Sequence, residues 1–141
     1  NRFLRSTLAS VGTFPSFTKK FVEMFVADPK AVTSEINQMY QRPLNVKGKT
    51  RQMGDWLREF LLSTDHELIQ NQGLFNELTA PTYLIWGDLD TVTPLWQGKE
   101  LKSRFKFSQL HVMPKVGHIP MIEDFPNFQK IIRSIFDSPA R

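Results

Sequence analysis

Two short β-prone runs with a helical stretch between them limit this chain's fold more than any other feature. Thr82-Tyr83-Leu84-Ile85-Trp86 is apolar, β-branched or aromatic and stops at Gly87, which reads as a buried strand. Residues 94–105 follow with helical character, and Pro94 suits a first helical turn. Ser108 to Met113 reads as a second strand, closed by Pro114. A last helix, from about Pro126 to Phe136, places Phe128, Ile131, Ile132, Ile135 and Phe136 toward a core. The stretch between the strands is too long for a hairpin and long enough for a crossover helix. The expectation is an α/β fold with a parallel strand pair joined by a right-handed crossover.

The pattern differs on the N-terminal side of Leu78–Pro81. Phe17, Phe21, Met24 and Phe25 recur at helical spacing, as do Val32, Ile36, Met39 and Tyr40, and again Met53, Trp56, Leu57, Phe60 and Leu61. Breaks are expected at Gly12–Pro15, Asp28–Pro29 and Arg42–Pro43, because the residue before a proline resists helix. Residues 1–77 therefore read as several short amphipathic helices and residues 78–141 as a β-α-β-α unit.

Composition narrows the function classes. With 40% hydrophobic and 23% charged residues, the 141-residue chain is ordinary globular material, and its 12 Phe and 3 Trp suit aromatic packing or an apolar pocket. The net charge of +4 is concentrated at Lys19, Lys20, Arg42, Lys47, Lys49, Arg51 and Arg58 and reads as a solvated helical surface. No Arg/Lys stripe interleaved with aromatics marks a nucleic-acid partner. The absence of Cys excludes disulfides and thiolate metal sites, and no His/Asp/Glu group has metal spacing, so no metal site is expected. No apolar run reaches membrane-spanning length, and no membrane partner is expected. The chain opens at Asn1 without a Met, so the compartment is left open, with the cytoplasm as the default expectation.

Chemistry is expected where the two strands end, because open parallel sheets place their sites at the carboxyl edge. The first loop is Trp86-Gly87-Asp88-Leu89-Asp90-Thr91-Val92-Thr93-Pro94, and the second is Pro114-Lys115-Val116-Gly117-His118-Ile119-Pro120. Neighbouring strands let an aspartate and a histidine meet across the 28 residues that separate Asp90 from His118. A carboxylate accepting Nδ1–H fixes the imidazole tautomer and frees Nε2 as a general base. Taken alone, Asp90 also fits an ordinary Asx turn ahead of Pro94, and His118 fits a structural loop histidine. His66 and His111 read as a helix start and a strand face, and Trp96 and Met121 as packing residues.

The string from Thr79 to Phe128, TAPTYLIWGDLDTVTP and then VGHIPMIEDFPNF, closely resembles the C-terminal end of α/β-hydrolases. That resemblance implies a C-terminal fragment of the α/β-hydrolase fold, in which a helical cap or lid segment (1–77) precedes the core portion (78–141). It puts Asp90, three residues after Gly87, at the triad acid position and His118, after Gly117, at the triad base position, and it makes Asp88 an ordinary loop residue. It implies a hydrolase of small organic ester or C–C-bonded substrates with no cofactor. Glu123-Asp124-Phe125-Pro126 is one residue longer than the commonest form, which leaves open which carboxylate begins the final helix.

The nucleophile is not in this stretch. Ser6, Ser10 and Ser16 lie in a phenylalanine-rich helical context, and Ser10 lacks the glycine two residues before it that a Gly-x-Ser-x-Gly elbow requires. The expectation is that the missing N-terminal half of the same protein supplies the nucleophile and that this chain alone is inactive. An exposed strand edge would then make the isolated chain a homo-oligomer or tie it to its missing half. Two other functions fit the same residues. One is a non-catalytic helical interaction module with a relic Asp/His pair, and the other an epoxide or haloalkane hydrolase with an Asp nucleophile.

Overall fold

The computed structural model describes residues 14–46, 49, 52, 55, 75 and 77–137. They fall into two compact units, one holding residues up to Met24 together with Val32–Asp65, the other holding Phe25–Ala31 and everything from His66 on. The expected helix around Met53 to Leu61, Ser6, Ser10 and His66 lie outside the described residues.

In the first unit, α1 (Pro15–Glu23) starts with its proline in the first turn, where a missing N–H costs nothing. α2 (Ser34–Leu44) is N-capped by Thr33, whose hydroxyl accepts the Ile36 N–H at 3.3 Å. The buried face of α1 is not the one its phenylalanines mark. Thr18 and Val22 are buried, while Phe17, Phe21 and Met24 stay exposed and Phe25 falls beyond the helix. Thr18 can be buried because its hydroxyl donates to the Phe14 carbonyl at 3.2 Å and accepts from Nε2 of buried Gln41. The break expected at Arg42–Pro43 is also displaced. Pro43 lies inside the last turn of α2, where the loss of one ladder bond is tolerated, and the helix ends at Leu44.

The second unit contains the parallel pair. β1 (Thr82–Gly87) runs beside β2 (Ser108–Met113), with Thr82 opposite Ser108 and Gly87 opposite Met113. Both strands therefore end at the same level. β1 is only half-buried before Gly87, not fully buried as its apolar run suggests, since among the described residues it has a single neighbouring strand. The connection is α3 (Leu95–Arg104), for which Pro94 is the extended N-cap and not a first-turn residue. A four-residue helix that the sequence pattern did not indicate, α4 (Pro120–Glu123), precedes α5 (Phe125–Asp137).

Asp124 begins α5, accepting the Asn127 N–H on Oδ1 at 3.2 Å and the Phe128 N–H on its carbonyl at 2.9 Å. Phe136, expected in the core, is 81% exposed at the margin of the apolar stripe in the last turn. Trp96, at 61%, and Met121 are exposed as well, so packing does not account for either. Among the described residues of this unit the buried hydrophobic side chains are Met113, at the end of β2, and Val116, in the loop that follows. Close packing is concentrated under the two loops.

Candidate active site

Two glycines let the loops touch. A Cβ on Gly87 would stand 2.1 Å from the Gly117 carbonyl oxygen and 2.2 Å from that of Val116. A Cβ on Gly117 would meet the Ala27 amide nitrogen at 2.7 Å. The contacts are with backbone, which cannot swing aside, so only glycine fits. Three hydrogen bonds then join the loops. Asp88 N–H donates to the Met113 carbonyl at 3.0 Å, Leu89 N–H to the Val116 carbonyl at 2.9 Å, and Lys115 N–H to Asp88 Oδ1 at 2.6 Å. Lys115 has φ 60°, a left-handed conformation that costs a lysine energy, and the Asp88 bond helps to hold it there.

With the loops joined, Asp90 and His118 meet. His118 Nδ1 lies 2.9 Å from Asp90 Oδ2. Asp88 is engaged with Lys115 and is not the carboxylate at the imidazole. The Asx turn and the pairing with histidine coexist, because each uses a different oxygen. Asp90 Oδ1 accepts the Val92 N–H at 2.9 Å and the Thr93 N–H at 2.8 Å, while Oδ2 faces His118. Oδ2 also accepts the Thr93 hydroxyl at 2.7 Å. Trp86 Nε1–H donates to the Thr93 carbonyl at 2.7 Å, fixing the far side of the same turn.

The Asp90 side chain is 4% exposed and that of His118 34%. Burial pushes the Asp90 carboxyl up, but the hydrogen bonds from Thr93 N–H, His118, the Thr93 hydroxyl and Val92 N–H outweigh it, leaving the carboxyl below its ordinary range. The acid is therefore an anion at neutral pH. The hydrogen bonds of the His118 ring among the described residues are all made through Nδ1, which leaves Nε2 open to a further group. This is a carboxylate–imidazole pair with the carboxylate buried and the ring half-buried.

Glu123, left undecided by the sequence, braces the histidine. Its Oε1 accepts the Gly117 N–H at 2.9 Å and its Oε2 the Ala27 N–H at 2.6 Å. The segment it holds returns a carbonyl, from Phe25, to the His118 N–H at 2.8 Å, and the Phe25 ring lies 5.6 Å from the imidazole. A cleft of about 390 Å³ separates Phe25–Ala27 from Asp88–Thr91. The sequence pattern missed Glu123 and Thr93 in these roles. The available signals were a carboxylate soon after Gly-His and a hydroxyl three residues after Asp90. His111 lies within β2 opposite Ile85, away from the loops. Among the described residues no group of three His, Asp or Glu could hold a metal, and no helix is long and apolar enough to cross a membrane.

A parallel pair that ends in a Trp-Gly-x-x-Asp loop and a Gly-His loop, with helices on the connections, is the arrangement of the α/β-hydrolase fold, which the chain shares with the solved structures it matches. The 2-hydroxy-6-oxo-6-phenylhexa-2,4-dienoate hydrolase of a Rhodococcus species matches with a TM-score of 0.71 at 18% identity, over 89% of this chain and 45% of that one. A thermophilic esterase from Thermogutta terrifontis matches with a TM-score of 0.66 at 18% identity, over 94% of this chain and 48% of that one. In sequence, the chain is similar to a 2-hydroxy-6-oxononadienedioate/2-hydroxy-6-oxononatrienedioate hydrolase of Pseudomonas putida, 30% identical over 119 residues, covering 81% of this chain and 39% of the relative. No family model matches the sequence. The relatives are hydrolases, and the chain spans about two fifths of the length of the curated relatives it matches.

Proposed function

We propose that this chain supplies the acid, Asp90, and the base, His118, of a nucleophile–His–Asp triad in a hydrolase of small organic substrates. The observation that carries the reading is the 2.9 Å contact of a buried carboxylate with Nδ1 of a half-buried histidine. In the reaction, a nucleophile carried by a preceding segment attacks a carbonyl carbon and His118 Nε2 takes its proton. Asp90 stabilises the resulting imidazolium, which then delivers the proton to the leaving group. Residues 1–77 would form the cap over the substrate and residues 78–141 the C-terminal part of the core, a division that remains part of the proposal.

The relatives' names favour a C–C bond as the target. A 2-hydroxy-6-oxo dienedioate has ketone, enol and carboxylate groups but no ester or amide, so its hydrolysis must break a carbon–carbon bond beside the ketone. The esterase among the structural neighbours shares the fold and keeps esters as the second substrate class. Against the relic-pair alternative stands the upkeep of the pair. An Asx turn needs only Oδ1 of Asp90, yet Oδ2 is buried as well and directed at Nδ1 of His118 at 2.9 Å.

The test uses the full gene product with a 2-hydroxy-6-oxo dienoate and a short-chain aryl ester. His118→Ala is expected to lower kcat on the preferred substrate by about 10⁴-fold or more. Turnover of both substrates at wild-type rates in this variant would refute the proposal.

A further inference from the structure

The residue that completes the pair is Thr93, and every polar atom it has is committed to the site. Its N–H donates to Asp90 Oδ1 at 2.8 Å, its carbonyl accepts Trp86 Nε1–H at 2.7 Å, and its hydroxyl donates to Asp90 Oδ2 at 2.7 Å. The same hydroxyl oxygen lies 3.1 Å from His118 Nδ1. Pro94 restricts the backbone of the residue before it, and branching at Cβ restricts χ1, so the hydroxyl has little freedom to point elsewhere.

Proton counting fixes the arrangement. A threonine hydroxyl has one proton, and an ionised carboxylate can only accept, so the short contact to Oδ2 uses that proton. The hydroxyl oxygen then presents lone pairs to Nδ1, as does Oδ2 at 2.9 Å. If Nδ1 also carried a lone pair, two acceptors would oppose a third in a largely buried space. Nδ1 must therefore hold a proton, which in the neutral imidazole leaves the lone pair on Nε2. Asp90 alone could fix the tautomer, but a single carboxylate oxygen leaves the ring free to tilt. Two acceptors on one N–H set the direction as well.

We propose that Thr93 is a positioning residue: its hydroxyl anchors Asp90 Oδ2 and shares the Nδ1–H of His118 with it, locking the tautomer and ring orientation that leave Nε2 free as a base. The proposal rests on the reading of Asp90 and His118 as acid and base, and it adds a third group to them. Its preferred replacement is serine, which keeps the hydroxyl. Valine keeps the shape and the backbone bonds but removes the donor to Oδ2 and the second acceptor for Nδ1.

The experiment is ¹H–¹⁵N spectroscopy of the imidazole groups in the full gene product, with the His118 signals identified by their loss in His118→Gln. Wild type is expected to show Nδ1 protonated and Nε2 not, with the Nδ1 proton far downfield. The Thr93 hydroxyl proton should be protected from exchange and should cross-relax with the Nδ1 proton. This wild-type measurement needs no variant to fold, and an unprotected hydroxyl without that cross-relaxation overturns the proposal. In Thr93→Val the Nδ1 proton is expected to move upfield or broaden, with an Nε2–H tautomer appearing, and Thr93→Ser should restore the wild-type pattern. Unchanged His118 signals in Thr93→Val also overturn it. Asp90→Asn separates the two levels of argument. If that variant perturbs the ring while Thr93→Val does not, the pair stands and Thr93 has no role. If neither perturbs it, the pair itself is refuted.

Discussion

The two loops at the strand ends and the helices α1 and α2 come from the same chain, yet they are specified differently. At the loops several residues meet closely fitted neighbours. Gly87 and Gly117 have no space for a side chain, Asp88 holds Lys115, and Asp90 accepts four donors. In α1 and α2 the described buried side chains are few, Thr18, Val22 and Gln41, and large apolar groups such as Phe17 and Met39 are exposed, as is Met24 just beyond α1 at 70%. A site held by geometry tolerates almost no substitution, whereas helices held by a general apolar pattern tolerate many. This difference in tolerance can be measured.

The largest effect is expected at Gly87. Gly87→Ala forces a methyl group into two backbone carbonyls and should cost roughly 2–4 kcal/mol, read as a lowered urea midpoint for the unit that contains the strands. A loss below about 0.5 kcal/mol would mean that the loops can part easily, and the contrast with the helices would fail.

A smaller effect concerns acid stability. The Asp90 carboxyl lies lower in the folded chain than in the unfolded one, so its contribution is complete above the ordinary carboxylate value, near pH 4. It is lost as the pH falls from there through the lowered folded value. Asp90→Asn should therefore flatten the decline in unfolding midpoint below about pH 4, while the rest of the curve keeps its shape. An equally steep decline in the variant would show that the hydrogen bonds at Asp90 do not favour its charged form. The smallest effect is expected in the first unit, where Met24→Ala, at an exposed position, should shift stability by no more than about 0.5 kcal/mol.

The same contrast explains what could be read in the sequence. Both strands were legible because their ends are marked by Gly87 and Pro114, and the loops because Trp-Gly-x-x-Asp and Gly-His are local strings. Helical periodicity indicated that α1 and α2 exist but not which face is buried. A pair of polar residues, Thr18 and Gln41, satisfies itself inside while Phe17 and Phe21 remain outside, and no spacing rule anticipates that. Glu123 was hidden for a different reason. Its partners, the amides of Gly117 and Ala27, are backbone groups, and the second lies 96 residues away with no side-chain signature. Thr93 was visible as a residue but not as a partner, since its role depends on a χ1 angle and on the position of a ring 25 residues further on.

The central claim is that Asp90, and not its neighbour two residues earlier, is the carboxylate that supports His118 in catalysis. The direct measurement is kcat of the full gene product for Asp90→Asn beside Asp88→Asn, on whichever substrate wild type turns over best. Asp90→Asn should lower kcat by about 10⁴-fold through loss of tautomer control, whereas Asp88→Asn, which only weakens a bond to the Lys115 amide, should lower it by no more than about tenfold. An Asp88→Asn enzyme as impaired as Asp90→Asn, or more so, would contradict the account.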